Sequence, residues 1–221
     1  MARGIGQSAT QELTQQLTLV IPHIEEVTRQ WKDSLSDENF LYPFSGLTFF
    51  YYSQGIYDLG FNWAVEGLDA TKERFGDEHS SVATSVNNLA GLYDSQGRYE
   101  EAEPLYQQAL AMRKKLLGDE HPDVATSVNN LAALYRSQGR YEEAEPLYQQ
   151  ALAMRKKLLG DEHPDVATSV NNLAALYRSQ GRYEEAEVLQ QKSLEIHRQV
   201  LGEHHPSFAI SLANLASLYV Q

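Results

Sequence analysis

Apolar residues along this chain keep a helical rhythm that short polar turns interrupt at regular intervals. Over residues 128–152, VNNLAALYRSQGRYEEAEPLYQQAL, the apolar positions Val128, Leu131, Ala132 and Tyr135 recur at the spacing of one helix face. Gly139 ends that run. Tyr141, Ala144, Leu147, Tyr148, Ala151, Leu152, Leu158 and Leu159 then carry a second run with the i, i+3, i+4 pattern of one buried face. The alternation of period two that marks a strand is absent. The pattern predicts helix, tight turn, helix.

The same words return with a period of 42 residues. Residues 76–117 and 118–159 differ only at Ser80/Pro122, Ser81/Asp123, Gly91/Ala133 and Asp94/Arg136. Residues 160–201 repeat the unit identically through Glu187 and then drift, residues 202–221 keep its first half, and residues 34–75 are a worn copy in which SQGIY matches SQGRY. The expected organisation is an N-terminal helical cap segment (1–33), a degenerate unit (34–75), three full units (76–117, 118–159, 160–201) and a terminal half-unit of one helix (202–221). A period near 42 also suits propeller blades, but helical spacing within the unit excludes them. Each helix pair carries more apolar face than it can bury alone, so stacked neighbours bury the rest.

Between units the chain reads GDEHPDVATS. Gly118 suits the left-handed end of one helix, Pro122 the first turn of the next, and Asp123 the positive end of that helix. An Asp-Glu-His triplet recurs at 77–79, 119–121 and 161–163. A carboxylate beside a histidine invites a metal, but copies one unit apart stand too far from each other to share an ion, and helix-start chemistry is the favoured reading. His23 and His197 stand alone and carry no motif.

The order of a small residue, LY, QGRY, EEA, LY and AL resembles the tetratricopeptide repeat (TPR) signature over roughly residues 34–221. The usual unit has about 34 residues. Here the proline falls eight places later, which lengthens the second helix by about 12 Å. The longer unit with GDEHPDVA between copies is similar to the repeats of kinesin light chain-like bacterial TPR proteins. The resemblance implies an all-α fold, a right-handed α-solenoid of antiparallel helix pairs whose first helices line a concave, peptide-binding groove.

On a helical wheel Thr126, Asn130, Ala133 and Ser137 lie opposite the core positions, with Asn129 and Arg136 on one flank. Carried along the period, the groove would hold Thr84, Asn88, Thr126, Asn130, Arg136, Thr168, Asn172, Arg178 and Asn214, with Asn87, Asn129 and Asn171 as a flanking row. An amide can hold a peptide backbone without reading its side chains, and Arg136 and Arg178 suit a carboxylate. Asp94 breaks the arginine series, and Gly91, Ala133, Ala175 and Ser217 leave room for a ligand. The rival reading is that one or both asparagine rows only bond neighbouring helices. In the worn unit the equivalent positions are the aromatic-rich Tyr42, Gly46, Phe49 and Tyr52. They form either an anchor pocket or, as favoured, a surface covered by the N-terminal segment, which reads as one or two helices interrupted at Pro22.

Composition narrows the function. The formal charge of −12 disfavours a nucleic-acid backbone, and the absence of cysteine removes disulfides and thiolate metal sites. No apolar stretch approaches a membrane span, and a cytoplasmic protein is expected. Phosphate-loop, dinucleotide, HExxH and nucleophile-elbow patterns are all missing, so no catalysis, cofactor or metal is expected. Glu142 and Glu143 read as a solvated helix surface. The leading expectation is a non-catalytic scaffold for a protein or peptide partner. LVIPHIEEV resembles the link by which bacterial nucleotide-hydrolysing signalling domains lead into such arrays. The alternative is self-assembly: Phe208, Leu212, Leu215 and Tyr219 lie on a first helix without its second, so its face is open to another copy.

Overall fold

The computed structural model describes residues 20–219, and every regular element among them is helical. Helix α1 covers residues 20–31 and a 3-10 turn follows at Lys32–Ser34. Antiparallel pairs come next: α2 (Tyr42–Ser53) with α3 (Tyr57–Phe75), α4 (Ser80–Ser95) with α5 (Tyr99–Leu117), α6 (Pro122–Ser137) with α7 (Tyr141–Leu159), and α8 (Pro164–Ser179) with α9 (Tyr183–Leu201). Helix α10 (Pro206–Ala216) follows α9. Residues through Leu89 form one compact unit and those from Ala90 onward a second.

Each end of a helix has an identifiable cause. Within a pair, Gly139 takes φ of +74° and the Arg140 N–H reaches back to the Tyr135 carbonyl at 2.8 Å, which closes the first helix. Between pairs, Gly118 sits at φ 82°, ψ 163°, a region open essentially to glycine alone. The next helix is capped by its histidine, as His121 Nδ1 accepts the Asp123 N–H at 3.1 Å. His163 and His205 do the same for Asp165 and Ser207, and His79 for Ser81. The recurrent histidine therefore satisfies an orphan helix donor.

In the second unit, alanines 102, 132, 144, 174 and 186 are fully buried, so the helices approach closely, with Tyr148, Leu134 and Leu176 filling the space between. Of the predicted core positions of the repeat, Val128, Leu131, Ala132, Tyr135, Ala144, Tyr148 and Ala151 are buried and Tyr141, Leu147, Leu152 and Leu159 half-buried, with one correction: Leu158 is exposed.

The first unit is built around Ile21, Phe40, Phe44, Leu47, Trp63 and Ala70. Helix α1 is continuous over residues 20–31, Pro22 included; the rest of the N-terminal segment, expected to be interrupted at Pro22, lies outside the described residues. Over its described residues α1 leaves Tyr42 and Phe49 uncovered, and the remainder of the segment expected to cover them lies outside the described residues. Glu25 of α1 accepts from Tyr51 Oη at 2.8 Å and Trp63 Nε1 at 3.1 Å, which fixes α1 over the α2–α3 seam, and burial with the Glu25 carboxylate alongside pushes the Tyr51 hydroxyl up to about 12. Tyr42 and Phe49 are left 69% and 59% exposed.

Two glycines of this unit make a paired test. A Cβ on Gly67 would stand 2.8 Å from Phe44 Cβ, whereas one on Gly46 would meet nothing within 4 Å. Gly67→Ala should lower stability by about 1–3 kcal/mol through overpacking. Gly46→Ala should raise it by about 0.5–1 kcal/mol through helix propensity. Thermal melts of the two variants should move in opposite directions.

Candidate functional site

The first helices α6, α8 and α10 of the second unit carry most of the polar positions expected to face a ligand. Threonine hydroxyls serve their own helices: Thr126 donates to the Pro122 carbonyl at 3.1 Å and Thr168 to that of Pro164 at 3.2 Å. The two asparagine rows meet each other. Asn172 Nδ2 donates to Asn129 Oδ1 at 2.9 Å, joining α8 to α6, and Asn171 Nδ2 donates to Ser211 Oγ at 2.8 Å, joining α8 to α10. Asn129 is buried, Asn171 has a buried Oδ1 without a partner, and Asn130, Asn172 and Asn214 are half-buried. Asn129, Asn171 and Asn172 therefore link helices, and Asn172 keeps its carbonyl oxygen and second N–H beyond that bond.

The arginines differ from each other. Arg178 Nη1 donates to Ser217 Oγ at 2.6 Å, and that hydroxyl donates to the Asn214 carbonyl. Arg136 faces the charge of Asp94. The aspartate that breaks the arginine series thus supplies a counter-charge. It also accepts from Tyr106, whose hydroxyl lies beside Gly91; burial and then Asp94 raise the Tyr106 hydroxyl above its ordinary range. In the first unit, Thr84 donates to the Ser80 carbonyl at 3.1 Å, and Asn88 lines a small cavity with Ser45, Thr48 and Ser85, where the buried Thr48 hydroxyl has no partner. Asn87 is half-buried.

Two polar series escaped sequence reasoning. Arg113 donates to Ser127 Oγ at 2.8 Å, and Arg155 donates to Ser169 Oγ at 2.8 Å, the Asp165 carbonyl at 3.2 Å and Thr126 Oγ1 at 3.3 Å. One period later stands His197, whose Nδ1 lies 2.8 Å from Ser211 Oγ. One period earlier, Thr71 Oγ1 lies 3.4 Å from Ser85 Oγ. His197, isolated in the sequence, is thus the next member of a buried ladder. The second series is a clamp between consecutive units. Glu103 accepts from Tyr135 Oη at 3.0 Å and Arg140 Nη1 at 2.7 Å, and Glu145 from Tyr177 and Arg182 in the same way. Burial acts to raise Glu103, but the bonds from Arg140 and Tyr135 outweigh it and hold the carboxyl below its ordinary range. Arg140 also lies over the Tyr135 ring at 3.9 Å.

No group of three or more metal-ligating side chains occurs among the described residues, and none of their helices is long and apolar enough to cross a membrane. The polar sites are surfaces and helix junctions.

The tetratricopeptide repeat family model matches at residues 44–115, 95–157, 123–196 and 165–221. The chain belongs to the tetratricopeptide repeat family. Among solved structures it is similar to BtubC (BKLC) from P. vanneervenii, with 26% identity over 92% of this chain and 83% of that one and a TM-score of 0.76. It is also similar to a kinesin-light-chain-like protein from Podosopora anserina with nearly identical TPR-like repeats, at 29% identity over 84% and 88% of the two chains and a TM-score of 0.66. No curated protein matches. The fold is accordingly an all-α, TPR-like solenoid with kinesin-light-chain-like neighbours. TPR proteins bind protein partners and are generally non-catalytic scaffolds.

Proposed function

We propose that this TPR chain is a non-catalytic, cytoplasmic scaffold that holds an extended peptide or partner segment along its first helices. In the second unit the contact residues are Thr126, Asn130, Arg136, Thr168, Asn172, Arg178 and Asn214, with Thr84 and Asn88 extending the series in sequence. The observation that carries this reading is the half-buried state of Asn130, Asn172, Arg178 and Asn214, repeated on successive first helices. Such a row grips backbone and carboxylate groups with little side-chain selection. A place within a larger bacterial signalling protein fits the resemblance of residues 19–27, LVIPHIEEV.

The test is peptide display on the purified chain, followed by anisotropy titration of an enriched peptide. Asn130→Ala with Arg178→Ala should weaken binding roughly tenfold or more, the equivalent of one to two hydrogen bonds. Asn129→Ala is the control, because it breaks the Asn172 bond from the other side and removes no contact group. Equal loss in both variants, or no enriched peptide, would sink the groove reading.

A second reading, self-association through α10, is favoured by the exposure of Ile210, Leu212 and Tyr219.

A further inference from the structure

Among the described residues five helices are the first of their pair or stand in that position: α2, α4, α6, α8 and α10. Two of them, α2 (YPFSGLTFFYYS) and α10 (PSFAISLANLA), contain no charged residue. The other three carry Asp94, Asp123 with Arg136, and Asp165 with Arg178. Both uncharged helices leave apolar side chains in solvent, Tyr42 and Phe49 on α2 and Ile210 on α10. In a chain of charge −12, copies approach one another with least local repulsion at such uncharged surfaces.

The packing of one first helix on the next defines what each surface is shaped for. Helix α6 meets α8 through Asn129 and Asn172, and α8 meets α10 through Asn171 and Ser211. Three periods before Asn172 stands Gly46 on α2, and three periods before Ser169, the counterpart of Ser211, stands Pro43. Two periods after Asn129, and one after Asn171, stands Ala213 on α10. Polar partners inside the array have thus become small and apolar on both surfaces together. Gly46 and Pro43 line an open apolar groove of about 490 Å³, with Tyr42, Leu47 and Phe50 on one wall and Ile21 and Ile24 of α1 on the other. That groove lies on α2 where α8 receives α6.

We propose that the groove between α1 and α2 is the socket for α10 of a second copy, which lies against α2 as α6 lies against α8. This rests on the reading of α10 as a self-association surface and names the surface that receives it. The contact continues the first-helix packing already present within the chain, with Ala213 of one copy against Gly46 and Pro43 of the next. It joins two different patches, so it is heterologous, and copies add head to tail until a ring closes or a filament grows.

The experiment uses the full chain in sedimentation velocity over a wide concentration range. The parent should show mass that grows with concentration. Gly46→Lys, where the added side chain meets open space in the single copy, should be monomeric, as should Ala213→Asp on the exposed face of α10. Circular dichroism should show both folded. Mixing them is the decisive arm. The intact α10 of the first variant and the intact groove of the second still fit, so the mixture should regain the mass of a dimer or more, which neither variant shows alone. A parent that stays monomeric overturns both the socket and the self-association reading. A parent that assembles, with Ala213→Asp blocking assembly and Gly46→Lys leaving it intact, keeps α10 as the surface and overturns the socket. A mixture that stays monomeric overturns the head-to-tail geometry.

Discussion

Arg155→Ala should lower the stability of the chain by about 3 kcal/mol, read from the midpoint of a urea titration followed by circular dichroism. Its guanidinium is buried and holds three places at once: Ser169 Oγ, the Asp165 carbonyl and Thr126 Oγ1. Those acceptors lie on α8 and α6, while Arg155 itself belongs to α7. Truncation therefore opens a cavity at the junction of three helices and takes away the donor that the buried Ser169 hydroxyl meets. Burial disfavours the charged guanidinium and the nearby Asp165 offsets part of that, which is why the fork must find partners. Arg155→Lys should recover only part of the loss, because a single ammonium cannot span acceptors that a planar fork reaches together. Lys157→Ala, which removes only an exposed pair with Glu120, is the control and should leave the midpoint unchanged. A loss for Arg155→Ala no larger than for Lys157→Ala would show the ladder to be idle.

The same ladder makes the α9–α10 junction acid-sensitive. At the arginine position of the third full unit stands His197, 3% exposed, with Ser211 Oγ at its Nδ1. Ser211 is a shared hub, for it also takes the Asn171 amide and lies 3.4 Å from Ser193 Oγ. Burial holds the His197 imidazole below its ordinary value; the Pro164 carbonyl pulls it back up, and His205 at the start of α10 pushes it down again. The unfolded histidine titrates near about 6.5, so between that value and the lower folded one the unfolded chain binds more protons. Stability then rises with pH through this window and is lost as pH falls through it. Below about pH 6, amide exchange in α10 should accelerate while exchange in α6 and α7 stays slow. His197→Arg, which restores the side chain found at 113 and 155, should abolish the acid response. Exchange in α10 that does not change across the window would refute the assignment.

The contrast between these two residues shows what the sequence discloses. The period, the helix pairs, the glycine stops and the inward set Val128, Leu131, Ala132 and Tyr135 were legible because each rests on spacing within a few residues. Arg155 was not, because in the run MRKKLL it looks like its exposed lysine neighbours and its serine partner lies 14 residues away. The only trace was its replacement by histidine where the third unit drifts. The asparagine rows were half legible. A wheel separates Asn129 from Asn130 on one helix, but it cannot show that Asn172 reaches across to Asn129 on the helix before last. On the aromatic face of α2 the pattern marks only apolarity, whereas the bonds that Glu25 accepts from Tyr51 and Trp63 decide where α1 lies.

The clamp has a consequence for the length of the array. Glu103 is gripped by Tyr135 and Arg140, and Glu145 by Tyr177 and Arg182, with near-equal distances at both junctions. Excision of residues 118–159 would bring Glu103 to Tyr177 and Arg182, the same chemistry in the same register. Neither neighbour could detect the missing copy. A gene encoding such units can gain or lose one by unequal crossing-over without creating a mismatched joint, so the number of repeats is free to be selected for span alone.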